Sequence, residues 1–186
     1  TDVTYNGVAL TKQVSKVATD TTRYSSIWTL VNPATGAHNI VATISGSRKV
    51  VGGAVSYTAT DVTSIGASAS MTQNSGTSAT VSVTSTRVNS VVIGVMAAQS
   101  DTATTTSAPS TERWNIVAIG GLYSFGATQP TTTIGSYSVT WDDTIHNMDI
   151  VSACILEIKG NQQGTIGLTA GANSQKVGKA LLADTL

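Results

Sequence analysis

A chain of 186 residues is long enough for one domain with a proper core. Only 11% of its residues are charged, ten basic and ten acidic, so the formal net charge is zero and the sequence lacks the basic patch on which nucleic-acid binding draws. No apolar run approaches the roughly 20 residues that span a bilayer, and the single cysteine, Cys154, excludes an intrachain disulfide.

Taken in order, the chain reads as short β runs broken by Gly, Ser, Asn and Thr. Residues 3–10 are written as a hairpin. Val3 and Tyr5 alternate into Asn6-Gly7, both of which tolerate the positive φ of a type I′ turn, and Val8 and Leu10 alternate out. Residues 12–20 are a polar continuation and loop, and residues 23–31 are the next strand, carrying Trp28. After Asn32-Pro33 and Thr35-Gly36 the chain returns over residues 39–44, with Ile40, Ala42 and Ile44 alternating against Val41 and Thr43. A Ser45-Gly46-Ser47 turn leads to a third apolar strand over residues 50–57.

Residues 60–70 read as a connection. Residues 79–84 alternate as a strand, and residues 89–98 form the continuous apolar run expected of a strand covered on both faces. Residues 99–110, with Pro109, read as a long loop, residues 115–119 as a short strand, and residues 120–130 as a loop carrying Tyr123 and Phe125. Tyr137, Val139 and Trp141 alternate in one strand, and residues 148–159 make the last strong one, with Cys154 as a buried, inert thiol. In the tail, residues 165–169 carry a trace of strand alternation, and Val177, Leu181 and Leu182 are spaced for a turn or two of amphipathic helix. The expectation is an all-β, antiparallel β-sandwich or jelly roll of about ten strands over residues 1–160, with a C-terminal extension or arm over residues 161–186.

Chemistry-bearing residues are sparse. His38 and His146 are far apart, and no Gly-x-Ser-x-Gly elbow marks an activated serine, so a catalytic triad is not expected. Asp142, Asp143 and Asp149, with Asn147 beside them, are the densest set of oxygen ligands and suit Ca2+ as a cofactor if the strand has ended there; solvated turn acids are the plainer reading. Glycoside hydrolysis needs paired carboxylates, and the strand acids are chiefly Glu112 and Glu157, the latter expected to pair with Lys159 at the surface. Trp28 and Trp141 belong to the core by their alternation. Trp114, Tyr123 and Phe125 are the better placed for exposure, as stacking platforms for a glycan or as loop residues packed on the sandwich.

The segments VTYNGVALT, then WTLVNPATG at 28–36, GAVSY at 53–57, TERW at 111–114 and LEIK at 156–159 occur in this order. That order resembles a β-sandwich module of phage virion proteins and of bacterial secreted or surface proteins, over about residues 2–159. The resemblance implies a jelly-roll, lectin-like fold. Such modules open with an apolar strand before the hairpin, whereas here the hairpin comes first. Either that strand is cut away or not included, or the C-terminal extension of this chain or a neighbouring subunit supplies one, with packing internal to the chain the plainer expectation.

Composition and resemblance together lead to a non-enzymatic structural protein on a virion surface or in an extracellular assembly: a decoration, fibre or filament subunit. It would self-associate or contact other virion or surface proteins, with Val177, Leu181 and Leu182 of the arm in the contacts. The alternative is a carbohydrate-binding module using Trp114, Tyr123 and Phe125. A glycoside hydrolase ranks third.

Overall fold

The computed structural model describes residues 1–47, 49–58, 60–99, 105–118, 122–143, 148–161, 168–169 and 179–185, with the backbone alone at 61–63, 117–118, 168–169 and 179–185. Among these residues every helix or strand is a strand. β1 (Asp2–Tyr5) turns into β2 (Val8–Ala9) through Asn6 and Gly7, at φ 50 and 76, the left-handed pair that the Asn-Gly sequence predicts. β3 (Thr11–Val17) and β4 (Tyr24–Leu30) pair antiparallel. β5 (Ile40–Thr43) carries the expected alternation but returns onto β1, with Tyr5 opposite Ile40, rather than onto β4. β6 is confined to Ala54–Tyr57.

The stretch read as a connection after residue 60 is instead a long strand, β7 (Thr60–Gln73). Its alternation is largely of small residues, Ala67 and Ala69 before Met71, against Ser68 and Ser70, which period-2 patterning of bulky side chains does not register. β8 (Ser78–Thr84), β9 (Ser90–Gln99) and the two-residue β10 (Thr105–Thr106) follow. β11 (Thr111–Ala118) pairs with β12 (Leu122–Thr131), which occupies what reads from sequence as a loop. β13 (Ser136–Asp142), β14 (Asp149–Gly160), β15 (Leu168–Thr169) and β16 (Lys179–Thr185) complete the series. Leu181 and Leu182 therefore lie in a strand, not in a helix, and Val177 lies outside the described residues.

The strands make four antiparallel sheets. The central one runs β11-β12-β9-β14-β7; the others run β10-β13-β8, β15-β6-β16-β4-β3 and β2-β1-β5. Side-chain parity gives their stacking. From β9, Val92, Met96 and Ala98 pack with Ala79, Val81 and Val83 of β8 and Val139 and Trp141 of β13. The intervening Val91, Ile93 and Val95 pack with Ile27 of β4, Tyr57 of β6 and, on the same central sheet, Cys154, Leu156 and Ile158 of β14. The central sheet is thus covered on both faces, which is why β9 is apolar at nearly every position. Gly94 marks a close approach of β9 to β13: a Cβ there would stand 2.9 Å from the Trp141 ring and 3.0 Å from Val139.

One layer further out, Trp28 on the opposite face of β4 packs with Val3 and Leu10, and Leu30, Tyr5, Ile40 and Ala42 join them. The small β2-β1-β5 sheet therefore caps the β4 sheet. The all-β, antiparallel, sandwich-like class expected from sequence is the class observed.

Candidate functional site

The sheet that carries β4 is completed by the last strand of the described chain. β4 and β6 do not pair with each other; β16 lies between them and is antiparallel to both. On one side Ala180 stands opposite Leu30 and Thr185 opposite Ser25; on the other Lys179 stands opposite Tyr57 and Leu182 opposite Ala54. Across that sheet, β15 pairs with β6 at Tyr57 and Ser56, the same two residues that meet Lys179 and Ala180 from the other side. β4 itself is anchored inward. The buried Ser25 hydroxyl donates to the Ser152 carbonyl at 2.6 Å and lies 2.7 Å from the Ser152 hydroxyl, while the Cys154 thiol reaches the Ser25 carbonyl at 3.4 Å. Burial pushes the Cys154 thiol up to about 12, against a small opposing pull from Lys16, as an inert core cysteine requires.

Glu157 departs most from its expected place. It is fully buried, not paired with Lys159 at the surface. Between the pairs Leu156–Ser68 and Ile158–Ile65, β7 has one residue too many, so Gly66 and Ala67 together face Glu157 in a bulge. The bulge turns the Ala67 N–H toward the carboxylate, at 3.2 Å. The turn after β8 supplies the Thr86 N–H at 2.9 and 3.0 Å, the Thr86 hydroxyl at 2.8 Å and the Arg87 N–H at 3.1 Å. Burial alone would raise this carboxyl; the hydrogen bonds from Thr86, Ala67 and Ser90 outweigh it and hold the group below the ordinary carboxylate range. Gly66 is obligatory here, because a Cβ would land on the carboxylate. The carboxylate pins β14, β7 and the 85–89 turn together and has no room for a substrate.

The aromatic residues weighed as stacking platforms or as packed loop residues are mostly packed. Phe125 is completely buried and Tyr123 nearly so, stacked on one face of β12 with ring centroids 6.0 Å apart. They pack, which was the plainer expectation, but from a core strand, β12, rather than from a loop. Trp114 is half-buried: its indole lies against Gly53 and Gly126, where a Cβ at either would strike the ring, and its N–H donates to the Ser124 hydroxyl at 3.3 Å. Trp28 and Trp141 are core residues, as their alternation predicts.

The acidic cluster is dispersed in role. Asp142 ends β13 and accepts a hydrogen bond from the Ser107 hydroxyl, Asp143 is fully buried with its N–H on the Thr77 carbonyl, and Asp149 is exposed at the start of β14. Among the described residues no three His, Cys, Asp or Glu side chains converge as metal ligands. His38 is exposed in its turn, edge-on to Tyr5, and His146 lies outside the described residues.

One outer face has a uniform chemistry that was not singled out from sequence. On the β8–β13 pair the buried positions alternate with Thr84, Ser82, Thr80 and Ser78, facing Ser136, Ser138, Thr140 and Asp142. Thr80 and Thr140 share a hydrogen bond of 2.8 Å and Ser82 and Ser138 one of 2.7 Å. No protein-family model, no curated protein and no solved structure matches this chain.

Proposed function

We propose that this chain is a non-enzymatic structural subunit of a virion or extracellular surface assembly, a decoration, fibre or filament protein that acts by packing against copies of itself or other surface proteins. The observation that carries the reading is the β8–β13 outer face: paired hydroxyls, charged only at its Asp142 end. Two such faces can meet without stripping water from ionic groups, the costly step in burying a polar surface. A formal net charge of zero removes the long-range repulsion that keeps many proteins apart.

The size of the face sets the kind of assembly. Two seven-residue strands at about 3.3 Å per residue and about 4.8 Å apart present roughly 220 Å², well short of the roughly 800 Å² per partner of a stable pairwise interface. Such contacts hold when repeated in a lattice or filament, as expected of a coat or fibre. Native mass by light scattering over a concentration series tests this. Mass should climb with concentration above the 19.0 kDa chain, and Thr80→Lys with Ser138→Lys should hold the protein at the single-chain mass. A wild-type chain that stays at 19.0 kDa up to millimolar concentration refutes the reading.

A further inference from the structure

We propose that β8 is a docking edge for a second copy of this chain. The two β8 strands pair antiparallel about a two-fold axis at Val81 and join both three-stranded β10-β13-β8 sheets into one of six strands. This rests on the assembly reading above and names the joint from which the assembly is built.

Backbone parity shows which side of β8 is open. The Asp143 N–H donates to the Thr77 carbonyl and the Ser85 N–H to the Gly135 carbonyl, each continuing the β8–β13 register by one residue. Odd-numbered residues of β8 therefore turn their N–H and C=O toward β13, and Ser78, Thr80, Ser82 and Thr84 turn theirs the other way. The Ser78 carbonyl agrees with this, taking a hydrogen from the Gln73 side-chain amide at 3.0 Å. Among the described residues no strand pairs with that side.

The other sheet edges are guarded. An open row of ladder groups invites another chain, and proteins blunt it with short strands, charges, prolines or bulges. β2, β10 and β15 have two residues each and β5 has four. β3 carries Lys12 and Lys16 and a register shift between Lys12 and Val14. β11 carries Glu112 and Arg113 and a shift between Glu112 and Trp114, and β7 shifts register twice against β14. β8, with the sequence SATVSVT, has seven residues, no charge, no proline and an unbroken register with β13.

The same sequence says what fits there. About Val81 the strand mirrors itself: Thr80 against Ser82, Ala79 against Val83, Ser78 against Thr84. A two-fold axis at Val81 pairs all seven residues, brings outward-turned ladder groups onto outward-turned ladder groups, and sets every hydroxyl opposite a hydroxyl. β8 already makes that match with β13, where Thr80 meets Thr140 and Ser82 meets Ser138. The joint also doubles the hydroxyl face offered for further packing.

The test uses two full-length variants, Thr80→Cys and Ser82→Cys, mixed as folded proteins at the highest concentration of the scattering series and oxidised. Disulfides are mapped by mass spectrometry. Native Cys154 stays out of the chemistry, being buried with its thiol pushed up to about 12. In the proposed pairing, position 80 of one copy faces position 82 of the other at about 5.5 Å between Cα atoms, within disulfide reach; 80 to 80 and 82 to 82 are displaced by two residues, beyond about 7 Å. Face-to-face stacking of sheets holds the backbones about 10 Å apart and bridges neither. The 80–82 bond should exceed either like bond about tenfold, against about twofold for random encounter. In the wild-type background, Ser82→Pro removes only an N–H turned away from β13, so it should keep the β-rich circular dichroism and raise the concentration of half-association about tenfold.

A ratio near that of random encounter, or no bond at all, overturns the joint, as does unchanged association of a folded Ser82→Pro protein; should the proline variant misfold, the cysteine pair decides alone. Mass that climbs with concentration without the excess 80–82 bond leaves the packing reading standing and removes this joint. The excess bond with a wild-type mass that halts at twice the 19.0 kDa chain keeps the joint and removes the extended coat or fibre.

Discussion

Glu157→Gln removes one charge and changes no volume, so it isolates what the buried carboxylate does. One carboxylate oxygen takes hydrogens from Thr86 N and Arg87 N, the other from Ala67 N, Thr86 N and the Thr86 hydroxyl. A glutamine can keep one acceptor, and its NH2 then faces the Ala67 N–H, donor against donor. Losing the charge-assisted character of the retained bonds, and leaving one buried N–H unmet at about 1–3 kcal/mol, sums to a loss of about 3 kcal/mol. Urea denaturation followed by circular dichroism reads this directly: with a slope of about 2 kcal/mol per molar, the midpoint should fall by roughly 1.5 M at pH 7.

The pH dependence supplies the second half of the test. The folded-state pKa of Glu157 is lowered, so its contribution is complete above the unfolded value near 4.3 and is lost as the pH falls through the lower folded value. The deficit of the variant should therefore shrink from pH 7 toward pH 3. An unchanged midpoint at pH 7, or the same deficit at both pH values, would refute the role assigned to the carboxylate.

Three further outcomes follow from single side chains. The Tyr57 hydroxyl is buried with no hydrogen-bond partner among the described residues, so Tyr57→Phe should be neutral or stabilise by up to about 1 kcal/mol in a thermal melt; a loss beyond ~1.5 kcal/mol would reveal a partner. Gly126→Ala should cost about 1–3 kcal/mol by driving a methyl into the Trp114 indole, and most of that cost should vanish in a Trp114→Ala background; equal costs in both backgrounds would place the strain elsewhere. Cys154 should not react with a disulfide reagent at pH 8 until the protein unfolds; rapid labelling of the native chain would contradict its burial.

What was legible in the sequence was whatever depends on neighbours in the chain. Asn6-Gly7 specifies its turn through φ alone, and the strict alternation at Val81 and Val83 specifies a half-buried strand. The apolar run around Val91–Val95 likewise announced a strand covered twice. Residues whose setting is decided by distant segments were not legible. Glu157 is buried because donors 70 to 90 residues away, at Ala67, Thr86 and Arg87, converge on it, and nothing local to Lys159 reports that. β12 was hidden by Gly126 and Pro130, which read as loop punctuation; Gly126 is there to admit an indole from β11, and Pro130 sits near the end of the strand. β7 escaped because two of its inward residues, Ala67 and Ala69, are too small to register as a periodic apolar signal, and Gly66 interrupts the pattern after Ile65. The final strand escaped because two adjacent leucines suit a helix as well as a strand, and only the gap between β4 and β6 decides the matter.

The double cover of the central sheet also has a consequence for how the chain reaches this state. β9 pairs with β12 and with β14, and β14 with β7, so the sheet joins Val95 to Cys154 and Ser70 to Cys154 across spans of 59 and 84 residues. Only the tight pairs, such as β1–β2 and β11–β12, can zip early; the sheet on which every other layer rests must close long loops first. Folding of such a topology runs in milliseconds to seconds rather than microseconds. During that interval β9, apolar on both faces, and the apolar 150–156 stretch of β14 are the segments most open to pairing with another copy. The chain would thus be at its most adhesive before it is finished, and the rate of central-sheet closure, set against the local concentration of copies, would govern its yield.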